Sequence, residues 1–392
     1  MAKSRTGGSI KSKMVTLIYG APFSGKTTMA LQLAYFKRED GKPFRVLVID
    51  GESGGVDEAI DKLIENGVQE SNIYVVYTQS LQEAESLIQK IKTHEPFYHY
   101  DDITGEETDE IVLDADGEQF YPDALVIDGT SVFKMTSEQG LLELSKKRNT
   151  VKANKNELTG IERTVTIQNA DLEFKDYKKL NFLGQNLVLD LMACGIHVCL
   201  TAREKDETIT REIDGKKESI NTGKKVYDSF KGIDYNIKTQ IHMINEDGVV
   251  SAEIIKDRTE VHSKGEIIED PQLLDWQVMI SKNTNKKDFA INNDLNKAVQ
   301  TEYKMYEKES QKSIDDMTEQ TSEDTAQEQN TSEIDEIKAE ITNIMKGFNP
   351  VKKSRAKEEI VPKGLPFKPT EIKAEKDIDI LRRVLAIIKE IG

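Results

Sequence analysis

One segment of nine residues has the residue types and spacing to bind phosphate groups. It reads Gly20, Ala21, Pro22, Phe23, Ser24, Gly25, Lys26, Thr27 and Thr28, which matches the pattern Gly-x-x-x-x-Gly-Lys-Thr. The two glycines let the backbone curl, so that its N–H groups surround phosphate oxygens. A lysine in this place reaches the terminal phosphates, and the hydroxyl that follows it is a ligand for Mg²⁺. The segment therefore predicts a phosphate-binding P-loop, in which Lys26 also assists catalysis and Thr27 holds the metal.

The surroundings of this segment support the prediction. An apolar strand pattern over 15–20 precedes it, and a helical pattern over about 26–39 follows it. A P-loop is expected between a strand and a helix. A glycine turn without a ligand is the alternative, but it does not explain why Lys26 and Thr27 follow Gly25.

Two carboxylates follow apolar strand patterns and complete the predicted chemistry. Asp128 ends the run 124–128 and is the candidate Mg²⁺ ligand beside Thr27; a turn aspartate at a strand end is the alternative. Glu52 follows the run 46–50 and is the candidate base that deprotonates the attacking water. In the alternative interpretation, Asp50 caps the following turn and Glu52 is only a solvated loop residue.

Residues 15–280 alternate short apolar runs with helical patterns, which predicts an α/β fold with a mostly parallel central sheet covered by helices. The predicted strands are 15–20, 44–50, 72–78, 124–130, 197–202, 237–245 and 249–256. The predicted helices are about 26–39, 56–66, 80–93 and 170–194. An Asp-Gly turn between the last two strands predicts a hairpin, so the sheet is expected to be mixed with a parallel centre.

The charge of the chain is unevenly distributed. Its 392 residues include 54 Lys and Arg against 70 Asp and Glu, a formal charge of −16. Residues 94–120 contain ten acidic residues and no Lys or Arg, and residues 315–340 contain ten acidic residues and one Lys, which leaves +3 for the rest. The acidity therefore does not exclude a nucleic-acid partner. The composition excludes a membrane protein and a purely disordered one, and without a signal segment we expect a cytoplasmic location, in the host cell if the protein is phage-encoded.

Taken together, these motifs resemble the RecA-like ATPase fold shared by RecA, RadA and the DnaB helicases. They are the P-loop, the strand ending in Asp50-Gly51-Glu52, the strand ending in Asp128, and Lys256-Asp257-Arg258 on a late strand. The resemblance covers residues 14 to about 275, and the arrangement is most similar to phage-type members associated with single-strand annealing. It implies ATP and Mg²⁺ as cofactors, Glu52 as the catalytic base, and a homo-oligomer with ATP at its subunit interfaces.

The resemblance also implies roles for four further residues. The segment Thr201-Ala202-Arg203 occupies the place of the polar residue that senses the γ-phosphate, so Thr201 or Arg203 is the candidate sensor, although the family's usual Gln or Asn is absent. Lys256 and Arg258 resemble the pair of cations that reaches the nucleotide of an adjacent subunit. Residues spaced by two on a strand share a face, so both can approach one triphosphate. A solvated strand end is the alternative for this pair.

Two basic segments are candidates for DNA binding, because RecA-like proteins carry their DNA-binding loops after the metal-binding strand and after the sensor strand. Both segments are predicted to be long loops. Their basic residues suit tracking of a single-stranded backbone, and a plain solvated loop is the alternative. They are Lys146, Lys147, Arg148, Lys152, Lys155 and Arg163 in the first segment, and Arg211, Lys216, Lys217, Lys224, Lys225 and Lys231 in the second.

The composition also predicts the domain organisation. We expect a flexible N-terminus over 1–13, a RecA-like ATPase domain over 14–280 with an acidic hairpin insertion at 94–120, and a disordered linker over 281–331. Apolar spacing returns over 332–392 and predicts a small module of three short helices. Its basic run, 352–357, suits DNA, a replication or recombination partner, or a tether.

These features predict an ATP-hydrolysing protein that acts on single-stranded DNA in phage-type recombination, annealing or replication. A hexameric helicase-type motor is a variant of this hypothesis. The alternative, from a different class, is a nucleotide-dependent switch or scaffold that recruits replication partners without engaging DNA.

Overall fold

The computed structural model describes residues 11–101, 103–213, 216–281, 286, 298–307 and 333–392. Contacts between Cα atoms divide the chain into two units, Met1–Leu295 and Asn296–Gly392. Most of the predicted flexible N-terminus and most of the predicted linker lie outside the described residues. Within the predicted linker, the described residues 298–307 form a helix.

A nine-stranded sheet forms the centre of the first unit, in the order β11-β10-β9-β1-β7-β6-β2-β3, with β8 paired to β7. The five pairings among β1, β2, β3, β6, β7 and β9 are parallel, and β8, β10 and β11 pair antiparallel. The predicted α/β class with a mostly parallel central sheet is confirmed. The strands are β1 (Val15–Gly20), β2 (Val46–Asp50), β3 (Ile73–Tyr77), β6 (Ala124–Asp128), β7 (His197–Ile213), β8 (Lys216–Asp228), β9 (Thr239–Glu246), β10 (Val249–Asp257) and β11 (Ile267–Glu269).

Helices cover both faces of this sheet because the central strands are apolar on both sides. In β1, Leu17 and Ile18 point to opposite faces and both are fully buried. One face packs against α1 (Lys26–Leu31), a 3₁₀ turn (Gln32–Tyr35) and α2 (Asp57–Glu65). The other packs against α3 (Leu81–Thr93), the first turn of α4 (Thr130–Lys155), and α6 (Phe174–Ala193). Such two-sided burial is typical of parallel strands.

The two segments predicted to be long loops are regular elements, so that prediction is wrong. The first forms α4 and α5 (Gly160–Gln168), and the second forms the long hairpin of β7 and β8. Both elements are largely solvent-exposed beyond the sheet, and α5 buries none of its residues. Their sequences therefore lack the apolar periodicity from which helices and strands are predicted.

The acidic segment contains a small antiparallel sheet of β4 (Tyr98–Tyr100) and β5 (Glu107–Ile111). A turn beyond β5 is held to the main sheet by Arg45, whose guanidinium lies 3.3 Å from Asp114 and 3.0 Å from Asp123. The insertion therefore rests on the start of β2, at the amino ends of the parallel strands.

The last helix among the described residues of the first unit is the short α7 (Val278–Ser281). The second unit contains α8 (298–307), α9 (333–346), α10 (Pro350–Ile360), α11 (Pro369–Ala374) and α12 (Ile378–Ile391). The stretch 333–392 thus forms four helices where three were predicted. Ile341, Ile360, Leu381 and Ile388 are fully buried between them. Nowhere in the described ranges does a helix combine the length and the apolar character that crossing a bilayer requires.

Candidate nucleotide-binding site

The P-loop leaves the carboxyl end of β1, between β7 and β9. Gly20 lies so close to β9 that a Cβ there would be 2.2 Å from the Met243 carbonyl oxygen, and Gly25 has a φ of +83°. Both positions therefore require glycine. The Ser24 hydroxyl donates to the Ala21 carbonyl at 2.8 Å, and the Asn245 amide donates to the Phe23 carbonyl at 2.9 Å. The loop is fixed from within and from β9.

The side chain of Lys26 lies in the curl of this loop. Its Nζ donates to the Ala21 carbonyl at 2.6 Å. Burial lowers the pKa of Lys26, and the charges of Glu52 and Asp128 oppose that shift. Lys26 thus lies within electrostatic reach of both carboxylates that were singled out in the sequence.

Asp128 is 2% exposed at the end of β6, and two hydroxyls bind its carboxylate. The Thr27 hydroxyl lies 3.1 Å from both carboxylate oxygens, and the Thr201 hydroxyl donates to Oδ1 at 2.6 Å. Burial raises the pKa of Asp128 to about 6, helped by the charges of Glu52 and Asp50 and opposed by the two hydroxyls. The predicted metal-binding residues Thr27 and Asp128 are therefore in direct contact, and Thr201 contacts the same carboxylate.

Glu52 reaches the site through a turn that Asp50 holds. The buried carboxylate of Asp50 accepts the N–H of Glu52 at 2.8 Å and that of Gly54 at 2.6 Å. The Glu52 side chain then crosses Gly129, where a Cβ would be 2.5 Å from Glu52 Cγ. Gly129 has a φ of +86°, so glycine suits it for both reasons.

Arg203 connects Glu52 to the β7–β8 hairpin. Its Nε donates to Glu52 Oε1 at 3.0 Å, in an ion pair whose side chains are 54% and 34% exposed. The Arg203 N–H donates to the Ser131 hydroxyl at 2.8 Å. Beyond Arg203, β7 pairs with β8 alone, so the hairpin projects from the sheet edge that carries the P-loop by about 30 Å.

Lys256 and Arg258 lie apart from these residues. Lys256 pairs with Gln240, which is level with Leu17, about 10 Å before the P-loop along the strand direction. Its Nζ donates to the Asp234 carbonyl at 2.7 Å, and Arg258 donates to the Tyr235 carbonyl at 3.5 Å. The two cations lie on the same face of the sheet. They lie toward the amino ends of the parallel strands, at the edge opposite the P-loop.

Several basic residues of the two candidate DNA segments are already paired. Arg148 lies 2.6 Å from Asp176, Lys146 lies 2.6 Å from Glu143, and Lys225 lies 2.6 Å from Asp206. Others are exposed and form no ion pair with a described residue; they are Lys147, Lys152 and Lys155 on α4, and Arg211, Lys217 and Lys224 on the hairpin. Of Lys216 only the backbone is described.

Three contributors to this site were not assigned a role in the sequence. Gly129 gives room to Glu52, Asn245 fixes the P-loop tip, and Ser131 ties the hairpin base to α4. A glycine directly after a strand-end aspartate is a signal that could have identified Gly129. Asn245 lies on β9, and no sequence pattern around it predicts its contact with the P-loop.

Comparisons with known proteins give structural likenesses only. No protein-family model matches the chain, and no curated protein matches it. The crystal structure of the RadB recombinase is 16% identical and covers 67% of this chain and 89% of its own, with a TM-score of 0.34. A KaiC-like protein from Pyrococcus horikoshii OT3 is 14% identical and covers 67% and 99%, with a TM-score of 0.35. The fold class rests on the sheet order and the P-loop described above.

Proposed function

We propose that this protein binds ATP with Mg²⁺ at the P-loop and hydrolyses it. One observation carries the proposal: Lys26 and Thr27 of the P-loop meet Asp128 and Glu52 from two neighbouring strands at one sheet edge. Four groups suited to phosphate binding, metal binding and water activation thereby converge from three separate parts of the sequence. An unliganded glycine turn gives no reason for this convergence.

The residues at this site fit Mg²⁺. Mg²⁺ prefers hard oxygen donors and is commonly held by one or two carboxylates, the substrate phosphates and water. Asp128 and Thr27 supply one carboxylate and one hydroxyl, and no cluster of three or more His, Cys, Asp or Glu in the described ranges offers a fuller cage. A divalent cation would also offset the cost of keeping the Asp128 carboxylate ionised while it is buried.

In this proposal Glu52 positions and deprotonates the attacking water. The Asp50 turn fixes its backbone, and the exposed ion pair with Arg203 holds its side chain beside Gly129. When ATP binds, Arg203 releases Glu52 and pairs with the γ-phosphate instead. Thr201 responds to bound ATP through its hydrogen bond to Asp128. Both residues keep the sensor role that the sequence predicted for them.

We further propose that Lys256 and Arg258 act on ATP bound by a second copy of the chain. Their place toward the far edge of the sheet puts them out of reach of this chain's own P-loop. Cations that stabilise the charge of phosphoryl transfer are frequently supplied by a neighbouring subunit. A homo-oligomer with ATP at its interfaces satisfies both facts.

The RecA-like resemblance and the exposed cations favour single-stranded DNA as the polymer on which the ATPase acts. The unpaired cations of α4 and of the hairpin lie on elements connected to the site, since α4 begins directly after Gly129 and the hairpin begins at Arg203. Recombination, annealing or replication of phage type remains the proposed role. A hexameric helicase-type motor is a variant of it, and a cytoplasmic location remains a prediction.

The first test measures ATP hydrolysis with and without single-stranded DNA at low salt. Lys26→Ala is expected to abolish nucleotide binding, because it removes the ammonium group from the P-loop. Hydrolysis by the natural protein is expected to rise when DNA is added. Protein that binds ATP but hydrolyses it at a rate unaffected by DNA would favour the switch or scaffold instead.

The second test addresses the subunit interface. Arg258→Ala is expected to lower hydrolysis by about tenfold without changing the affinity of a protomer for ATP. Its matched control is Lys264→Ala, an exposed cation shortly after Arg258 in the chain that forms no ion pair with a described residue. A mixture of Arg258→Ala and Lys26→Ala proteins should recover activity only if the two sites belong to different copies. Sedimentation with ATP and DNA would give the size of the oligomer.

A further inference from the structure

A groove of about 660 Å³ lies on the surface of the second unit, between α9, α10 and α11. Its floor is apolar and consists of Met345, Phe367 and Ile372, with Pro350 and Pro369 on its sides. The volume falls within the range of concave sites that bind ligands, and such sites are mostly lined by apolar side chains.

Four lysines surround this apolar floor: Lys346, Lys353, Lys357 and Lys368. All four are exposed, and the first three have no carboxylate within 4 Å among residues 333–392. Lys353 and Lys357 are four residues apart on α10. Like charges at this spacing destabilise a helix. The arrangement therefore lowers the stability of the free module and is favourable only beside negative charge.

The basic run 352–357 is divided by the helix into two groups. Lys353 and Lys357 line the groove, whereas Lys352 donates to the Gly392 carbonyl at 2.7 Å and Arg355 lies 3.9 Å from Glu359. Only two cations of the run thus face the groove. The run acts there as part of a cationic rim and not as a continuous basic stripe.

A carboxylate bound to two groove residues, that of Glu371, is already engaged. Glu371 Oε2 accepts the N–H of Phe367 at 3.2 Å and that of Lys368 at 3.1 Å, and these bonds lower the pKa of Glu371. The same carboxylate lies 3.4 Å from Lys368 Nζ. Glu371 therefore fixes the loop that presents Phe367 to the groove, and it leaves the other three lysines uncompensated.

We propose that this groove binds an acidic amphipathic helix of a partner protein. The partner's apolar side chains would contact Met345, Phe367 and Ile372, and its carboxylates would pair with the four lysines. Helices that bind in grooves present anchors at i, i+3, i+4 and i+7. The inference concerns the second unit and does not depend on the ATPase proposal.

The lining favours an acidic peptide over single-stranded DNA. Sites for single strands stack successive bases on several aromatic rings. Phe367 is the one aromatic residue among those that line the groove, and the remaining floor is aliphatic. Residues 333–392 contain 13 Lys and Arg against 11 Asp and Glu, so the unit as a whole is close to neutral. Its positive charge is concentrated around an apolar floor, as an amphipathic acidic helix requires.

The test uses the full chain and a fluorescein-labelled helical peptide of Glu and Asp with Leu at i, i+3, i+4 and i+7. Fluorescence anisotropy measures binding by the natural protein and by the variant Lys353→Glu/Lys357→Glu. The matched control is Arg355→Glu/Lys363→Glu, which changes the charge of the same module equally at exposed positions outside the groove. Circular dichroism checks that each variant folds.

We expect the Lys353→Glu/Lys357→Glu variant to bind at least about tenfold more weakly and the control within about twofold of the natural protein. Phe367→Ala should also weaken binding, because it removes an apolar anchor without changing charge. A peptide in which every Leu is replaced by Ser should bind much more weakly than the original.

Three outcomes would overturn the proposal. The first is equal binding of the Leu and Ser peptides, since this indicates general charge attraction. The second is tighter binding of an oligo(dT) strand that the groove variant loses, which assigns the groove to nucleic acid. The third is displacement of the labelled peptide by stoichiometric peptide 309–332 of this chain, which assigns the groove to the chain itself.

Discussion

The carboxyl ends of β2 and β6 carry the same five residues, Leu-Val-Ile-Asp-Gly, and use them differently. The strands are neighbours in register, so that Asp50 lies beside Asp128. Asp50 accepts two backbone N–H groups and shapes a turn, whereas Asp128 accepts two side-chain hydroxyls, one of them from the P-loop. The contrast teaches that the groups opposite a strand-end aspartate, and not its own strand, decide whether it shapes a turn or contacts the P-loop.

The largest expected effect concerns the residue that the Asp50 turn presents. Glu52→Gln is expected to lower ATP hydrolysis by about 10²–10⁴-fold, because the amide cannot accept a proton from water. The affinity for ATP should be preserved, as measured with a fluorescent ATP analogue. Glu58→Gln, an exposed acid on α2, serves as the control and should hydrolyse normally. A normal rate in Glu52→Gln would show that another group is the base.

The next effect compares the two aspartates in hydrolysis. Asp128→Asn is expected to lower Mg²⁺-dependent hydrolysis by at least about 100-fold, since the proposed Mg²⁺ site loses the carboxylate that contacts Thr27. Asp50→Asn should lower it less, because part of the turn can still form. Phosphate release at varied Mg²⁺ measures both variants. If both variants lose the same activity with the same Mg²⁺ dependence, Asp128 and Asp50 do not differ in function.

Substitutions of the same two aspartates are expected to change stability in opposite directions. Asp50→Ala should lower the free energy of unfolding by about 1–3 kcal/mol, since two backbone N–H groups lose the acceptor that holds the turn. In EDTA and without nucleotide, Asp128→Asn should raise it by up to about 3 kcal/mol at neutral pH, because burial raises the pKa of Asp128 to about 6. Urea unfolding of each variant against the natural protein measures the two changes.

The pH dependence of that gain follows from the sign of the shift. The folded pKa of Asp128 is above its ordinary value of 3.8, so the unfavourable contribution is complete above about pH 6 and disappears below about pH 4. The advantage of Asp128→Asn should therefore shrink as the pH falls from about 6 to 4. An advantage that grows over this interval would contradict the account of Asp128 as a carboxylate held ionised at a cost.

The smallest expected effect separates Gly129, which follows Asp128, from Gly117 in the acidic segment. Gly129→Ala places a Cβ 2.5 Å from Glu52 Cγ at a φ of +86°, whereas Gly117→Ala has a φ of +74° and no atom within 4 Å. Both should cost about 1–2 kcal/mol from the left-handed backbone. Only Gly129→Ala should also slow hydrolysis, by about tenfold. Equal rates of hydrolysis in the two variants would show that Gly129 has no role in positioning Glu52.

A larger lesson concerns the elements that sequence patterns failed to predict. The strands of the sheet centre were predicted to within about two residues at most ends, because two-sided burial leaves an unmistakable apolar run. Helices α4 and α5 and the β7–β8 hairpin were interpreted as loops, because their exposed surfaces remove that signal. Helix α4 begins at Thr130 and the hairpin begins at Arg203, both beside the site. The elements that the sequence patterns failed to predict are therefore the ones connected to Glu52 and Asp128.

The sequence by itself determined the P-loop, the α/β class and two strand ends with carboxylates, because each depends on residues that are close in the chain. It singled out Asp128 as the candidate metal ligand but contained none of the contacts that separate Asp128 from Asp50, and it could not place Lys256 and Arg258 toward the opposite edge of the sheet. Only the tertiary structure decided these points, as it decided which lysines of the run 352–357 surround an apolar groove. The physical reason is that strand order, register and helix packing bring distant residues together, and those contacts set burial, pKa and pairing.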